Sequence, residues 1–284
     1  MKNLLLKSYA KINICLNVVS KREDGYHELD MVMLPLKLHD SILFSELKNG
    51  RDHFITIDDF SLGLFKYNIA TAAIDKMQSL YHFDQKFRIT IHKVIPMQSG
   101  LGGGSSNAAT IINAVNEYCH LNLSYQELVD LSTGIGADVP FFLTNKPARC
   151  RGIGEKLDFI NVKNDYYVLL VKPEKGCSTQ SVYEVSDQMD LQVGNVETVI
   201  KALEEGDDEL LANSIFNSLE KPAITLVPDI QIIIDKLKIA GLKIVQMSGS
   251  GSAVFALSTD KKLIHSVAKQ LENQYIVEVT KVIK

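Results

Sequence analysis

Pro96-Met97-Gln98-Ser99-Gly100-Leu101-Gly102-Gly103-Gly104-Ser105-Ser106-Asn107-Ala108-Ala109 spends glycine heavily, at every position from 100 to 104 except Leu101. Glycine loses more backbone freedom on folding than any other residue, so a plain connection between two elements would not need so many. Such a run lets backbone N–H groups approach an anion closely. Upstream, Phe87, Ile89 and Ile91 alternate with Arg88 and Thr90, the period of a strand. Downstream, Ala108, Ala109, Ile112 and Val115 recur at helical spacing. The stretch therefore joins a strand to a helix, whose first turn adds unpaired amides and the positive end of a dipole. Phosphate binding is the expected task, carried by Pro96, Gly100, Leu101, Gly102, Gly103 and Gly104 with the hydroxyls of Ser105 and Ser106. Ser106 is the hydroxyl expected to face a magnesium ion. An ordinary turn with Ser105 or Ser106 as helix N-cap is the plain alternative. The loop is not of the Walker type, because Gly104 is followed by Ser105-Ser106 and not by Lys and Ser/Thr. A dinucleotide fingerprint lacks its first strand and its downstream acid here.

Working outward, Ala10, Ile12, Ile14, Leu16 and Val18 alternate with Lys11, Asn13, Cys15 and Asn17. This is a strand with one buried face, and Lys11 and Asn13 share the opposite, polar face. The apolar run 31–38 reads as another strand, and Ile69, Ala72, Ala73, Met77 and Leu80 as a helix with Asn68 as N-cap. Ser124 and Glu127 form a capping box. In the second half, 167–171 reads as a strand and 196–203, 209–219 and 228–239 as helices, with Gly241 closing the last.

The chain of 284 residues is 46% hydrophobic and 23% charged, which is the composition of a globular protein large enough for one or two domains. A net charge of -4 speaks against nonspecific affinity for nucleic acid, which needs a basic surface. The four cysteines are scattered and form no C-x-x-C pair, so neither a disulfide framework nor a zinc knuckle is expected. No apolar run approaches the roughly 18 residues of a membrane span. A cytoplasmic protein with no membrane partner, monomeric or homodimeric, is the expectation.

Two further segments carry chemistry. Asp138 is the lone acid in Gly134-Ile135-Gly136-Ala137-Asp138-Val139-Pro140-Phe141-Phe142. A carboxylate there either caps the helix before Pro140 or accepts the proton of an attacking hydroxyl. Met247-Ser248-Gly249-Ser250-Gly251-Ser252-Ala253-Val254-Phe255 is a small-residue turn between two strands. Beside the first loop, Gly249 and its neighbours could close over a substrate or terminal phosphate. The seven histidines show no metal-ligand spacing, so a metal would arrive with a nucleotide.

Lys11-Ile12-Asn13, residues 96–109 and residues 247–255 together resemble, in order and spacing, the three signature motifs of the GHMP kinase superfamily. The resemblance runs over essentially the whole chain. Asp24-Gly25-Tyr26-His27, Gly136-Ala137-Asp138-Val139-Pro140 and Arg151-Gly152-Ile153-Gly154-Glu155 are similar to the branch whose substrate carries a cytidine. The resemblance implies transfer of the γ-phosphoryl group of ATP, with Mg2+, to the 2-hydroxyl of 4-diphosphocytidyl-2-C-methyl-D-erythritol, a step toward isoprenoid precursors. It implies an α+β fold of two domains with the active site in the cleft between them. Residues 1–160 would form an ATP-binding domain of mixed sheet and helices, and 161–284 a ferredoxin-like α/β sandwich. By the same resemblance Asp138 would be the base, Lys11 its cationic partner, and Asn13 the holder of the erythritol end. Tyr26 and Tyr183 would sandwich the cytosine, His27 would read its edge, and Thr179 would lie upstream of the aromatic as in the family pattern. Asn68 would border the adenine. Asn107 stands where many relatives carry an aspartate. Superfamily members acting on mevalonate-type substrates, homoserine or sugars share the phosphate loop, and a noncatalytic nucleotide-binding relative would share the fold. Tyr26, His27 and Tyr183 weigh against the former, and Lys11 with Asp138 against the latter.

Overall fold

The computed structural model describes residues 3–48, 52–58, 69–132 and 134–284. They form two compact units that are not contiguous in sequence. The first comprises residues 1–10, 38–96 and 102–145, and the second comprises 11–37, 97–101 and 146–284. A single cut at residue 160 does not reproduce them, because the long strands β1 (Leu4–Lys21) and β2 (His27–Glu46) each contribute to both.

In the first unit, the end of β2 pairs antiparallel with β4 (Phe87–His92), Ser41 opposite His92, and β3 (Phe54–Ile57) adds in parallel to β4. Alternation puts Phe87, Ile89 and Ile91 in the core. The helices are α1 (Ile69–Tyr81), α2 (Gly103–Tyr118), α3 (Tyr125–Ser132) and the short α4 (Val139–Phe142). The α3 capping box forms as its spacing predicts. Ser124 donates from backbone N and Oγ to Glu127 Oε2 at 2.8 and 2.6 Å, and Glu127 N donates back to Ser124 Oγ.

In the second unit, the start of β2 pairs with β5 (Ala148–Gly152), which pairs with β6 (Lys156–Phe159). A four-stranded antiparallel sheet follows, in the order β10 (Ile276–Lys281), β7 (Tyr167–Lys172), β9 (Val254–Ser258), β8 (Ile244–Met247). With α5 (Thr179–Ser186) through α9 (Asp229–Ile239) between β7 and β8, and α10 (Lys261–Leu271) between β9 and β10, this is the ferredoxin-like arrangement.

Two expectations are corrected here. The polar side of β1 is not solvent-facing, since Lys11 and Asn13 are 3% and 1% exposed. Asn17 is likewise covered, its side chain bonded both ways to the backbone of Gly194. The helix read over 209–219 ends earlier, as α7 (Asp208–Ser214), with Ile215 extended. The chain leaves the helix to pair with β1, Leu16 N donating to Phe216 O and Ser218 N to Leu16 O at 3.1 and 2.9 Å. Long-range strand pairing thus overrides a local helical period.

Candidate active site

In the first unit, the site is built on the start of α2. Its N-cap is Gly102, which supplies no side-chain bond, and no acid lies in the first turn. The serine cap of the plain alternative is therefore not what starts this helix, and its N-terminus keeps the character of an anion site. Gly104 is exposed, and a Cβ there would meet nothing closer than Ile69 Cγ2 at 3.5 Å. Ser105 is partly accessible, whereas Ser106 is wholly buried and accepts a hydrogen bond from Ser8 Oγ at 2.8 Å. The accessible hydroxyl of the pair is thus Ser105, while Ser106, the hydroxyl expected to face a magnesium ion, is buried against Ser8.

Beneath the helix start lies a polar cluster that sequence reasoning missed. Asp40, fully buried, accepts from Val94 N and Ile95 N at 2.8 and 2.9 Å, pairs with Lys93 Nζ, and accepts from Asn107 Nδ2 at 2.9 Å. Asn107 Nδ2 also donates to Ser8 Oγ, so an amide at 107 serves where a second carboxylate beside Asp40 would repel. Lys93 Nζ would lie 3.1 Å from a Cβ on Gly103, directly under the first turn. No sequence period announces Asp40, which lies within β2 just past the apolar run 31–38.

Asp138 also belongs to this unit. It occupies the N-cap position of α4 but makes no side-chain cap bond, so the plain capping role is not the one the structure gives it. Its turn packs on α2, with a Cβ on Gly136 falling 3.3 Å from Ser105 Oγ. The glycine loop and the candidate base are therefore brought together. Asn68, with the helix cap and adenine contact expected of it, lies outside the described residues.

In the second unit, Lys11 Nζ donates to Asn13 Oδ1 at 2.5 Å, and Asn13 Nδ2 contacts Met31 Sδ at 3.1 Å. The small-residue turn lies beside Gly100 and seals this pair. Asn13 N donates to Ser248 Oγ, Ser248 Oγ donates to Gly100 O at 3.0 Å, and Lys11 N donates to Leu101 O. Gly100 is required here, because at φ 74° its Cβ would fall 1.9 Å from Ser248 O. A Cβ on Gly249 would lie 3.1 Å from Asn13 Oδ1 and 3.3 Å from Lys11 Nζ. Thr179, at the start of α5, joins the same turn through Ser250 Oγ at 3.0 Å.

One helical turn beyond Thr179, Tyr183 stacks on the His27 ring, with centroids 4.6 Å apart and planes at 24°. Tyr26 beside it is 53% exposed, on a turn closed by Arg22 N donating to Tyr26 O. A further residue escaped the sequence reading: Asp187, four residues after Tyr183. It takes His27 Nε2 at 2.7 Å on one oxygen and Lys21 Nζ at 2.5 Å on the other. Those bonds, Lys21 first and then His27, hold its carboxyl below the ordinary range. The i, i+4 spacing of Tyr183 and Asp187 on a helix was the available signal.

Among the described residues no cluster of His, Cys, Asp and Glu could hold a metal, and no helix is long and apolar enough to cross a membrane. An uncapped helix start above a glycine turn, with a carboxylate that makes no cap bond beside it, is what a phosphoryl-transfer site requires. Residues 68–146 match the family described as GHMP kinases N terminal domain, and 199–277 match GHMP kinases C terminal. The class is thus that of the small-molecule GHMP kinases, which use ATP. The chain is 37% identical over 268 residues to 4-diphosphocytidyl-2-C-methyl-D-erythritol kinase of Caldicellulosiruptor bescii, covering 94% of this chain and 93% of that one. It is 35% identical over 270 residues to the enzyme of the same name from Macrococcus caseolyticus, at 93% of both chains. A crystal structure of 4-(cytidine 5'-diphospho)-2C-methyl-D-erythritol kinase superposes with a TM-score of 0.82 at 29% identity, covering 99% of this chain and 100% of the other. Homoserine kinase from Cytophaga hutchinsonii, at TM-score 0.76 and 17% identity over 100% of this chain and 95% of that one, shares the fold. The chain belongs to the 4-diphosphocytidyl-2-C-methyl-D-erythritol kinase family.

Proposed function

We propose that this protein transfers the γ-phosphoryl group of ATP to the 2-hydroxyl of 4-diphosphocytidyl-2-C-methyl-D-erythritol, releasing ADP. The observation that carries the substrate is the aromatic cluster of the second unit, His27 stacked on Tyr183 beside exposed Tyr26, in a chain of this kinase family. Stacking a base on an aromatic ring is worth about 1–3 kcal/mol, and hydrogen bonds then select among bases. Tyr26 and Tyr183 supply the stacking surfaces in this reading, and His27 the selecting edge.

The amides of Gly103, Gly104 and Ser105, unclaimed by any side-chain cap, bind phosphate oxygens with help from the α2 dipole. The uncapped, acid-free helix start fits such an anion. Mg2+, entering with the nucleotide, would neutralise phosphate charge, and Ser105, the accessible hydroxyl of the pair, would serve it. The substrate oxygen attacks the γ-phosphorus as the bond to the β,γ-bridging oxygen breaks, and the hydroxyl proton passes to Asp138. Asn13 holds the polyol end, and Lys11 supplies the positive charge of the reaction. Catalysis in this scheme is positioning and electrostatics.

The test is ADP release from Mg·ATP with 4-diphosphocytidyl-2-C-methyl-D-erythritol, run beside mevalonate, homoserine and galactose. Turnover with the cytidyl compound alone is expected. Turnover with another acceptor in its place would keep the kinase and remove the base-recognition role of Tyr26, His27 and Tyr183.

A further inference from the structure

We propose that Asp187 is a positioning residue that sets the base preference of the site by fixing which nitrogen of His27 carries the proton. The inference rests on the cytidine reading above and goes one step further, to the side chain that makes His27 selective.

Asp187 Oδ1 lies 2.7 Å from His27 Nε2. An ionised carboxylate can only accept, so Nε2 must be the nitrogen that donates. In the neutral ring Nδ1 is then left with a lone pair and no hydrogen. The ring is held in place on its face by Tyr183, and it makes no other hydrogen bond among the described residues. His27 is thereby an acceptor. An acceptor suits the exocyclic amine of cytosine and meets the O4 carbonyl of uracil, also an acceptor, with repulsion. Lys21 on the second oxygen keeps the carboxylate anchored and ionised, so the tautomer is set by a fixed partner and not by solvent. Asp187 itself has no need to touch the substrate.

The experiment compares wild type, Asp187→Ala and the near-isosteric Asp187→Asn with the cytidyl substrate and its uridyl counterpart. It also records 15N spectra of the His27 imidazole. Wild type should show the neutral Nε2–H tautomer and a strong preference for the cytidyl compound. In Asp187→Ala the two tautomers should average, KM for the cytidyl substrate should rise by about tenfold, and the cytidyl-to-uridyl ratio of kcat/KM should fall by about tenfold or more, the cost of leaving one buried polar group unpaired. Turnover number and KM for ATP should stay within about threefold, a split that mere loss of fold would not produce. Asp187→Asn, whose amide can donate to Nε2 and leave the proton on Nδ1, should move the preference furthest toward the uridyl compound. An Nδ1–H or doubly protonated ring in wild type would overturn the proposal, as would an unchanged base ratio in both variants. Should wild type itself ignore the cytidyl substrate, the functional reading falls, and that result is distinct from an active wild type whose base ratio survives both substitutions.

Discussion

At the scale of single residues, Asp138 and Lys11, the two charged positions of the proposed reaction, were found by opposite kinds of signal. Asp138 stands out because an acid in an apolar run needs a reason, and its carboxylate makes no cap bond to α4. Asp138→Asn keeps the size and removes the proton acceptor. It should lower kcat by about 10²–10⁴-fold while ATP KM stays within a few-fold, as steady-state kinetics would register. A variant with most of the wild-type turnover would take Asp138 out of the mechanism. From periodicity alone Lys11 was legible as a residue on the polar, core-averted face of a strand, and its pairing with Asp138 came only from the family resemblance. The placement off the core fails on its surroundings, because β1 is covered on both sides there and the pair Lys11–Asn13 is sealed by the 248–251 turn. Such burial comes from segments more than 200 residues away in sequence, and no local period encodes it.

At the scale of elements, periodicity served well where one neighbour decides burial. The strands β4 and β7 and the helices α6 (Val196–Glu205) and α9 fall where alternation and helical spacing put them. It failed where a distant backbone intervened, as at Ile215, where pairing with Leu16 ends α7. The glycine loop reads in sequence as an anion site, yet its glycines differ in what the fold asks of them. Gly100 is dictated by the close approach of Ser248, a contact absent from any local reading. Gly104 sits in ordinary helical geometry with room for a methyl group, so the fold does not require glycine there. Gly104→Ala should therefore stabilise α2 by up to about 0.5–1 kcal/mol, raising Tm by about 1–3 °C in calorimetry. The same methyl group would stand where phosphate approaches the backbone. ATP KM should rise roughly tenfold, near the worth of one charge-assisted bond. A gain in both stability and ATP affinity would show that nothing approaches Gly104, and the anion site would have to be sought elsewhere on the loop.

At the scale of the whole molecule, the two tasks of the proposed reaction map onto different compact units. The uncapped helix start and Asp138 belong to the first, and the stacked His27–Tyr183 pair with Asp187 belongs to the second. If that division is physical, each half of the chemistry has its own ligand and its own footprint. Cytidine 5'-diphosphate carries the base and the phosphates but no polyol to phosphorylate. At about 100 times its Kd, a ligand that binds only the folded state stabilises it by about 2.7 kcal/mol, enough to slow amide exchange strongly where it binds. Hydrogen exchange followed by mass spectrometry should then show protection by cytidine 5'-diphosphate across residues 25–31 and 177–187, with residues 102–107 and 134–142 little altered. A nonhydrolysable ATP analogue should give the reverse pattern. Protection by cytidine 5'-diphosphate confined to residues 102–107 would mean that the phosphates, and not the base, govern its binding. The aromatic cluster around His27 would then have no claim to the substrate.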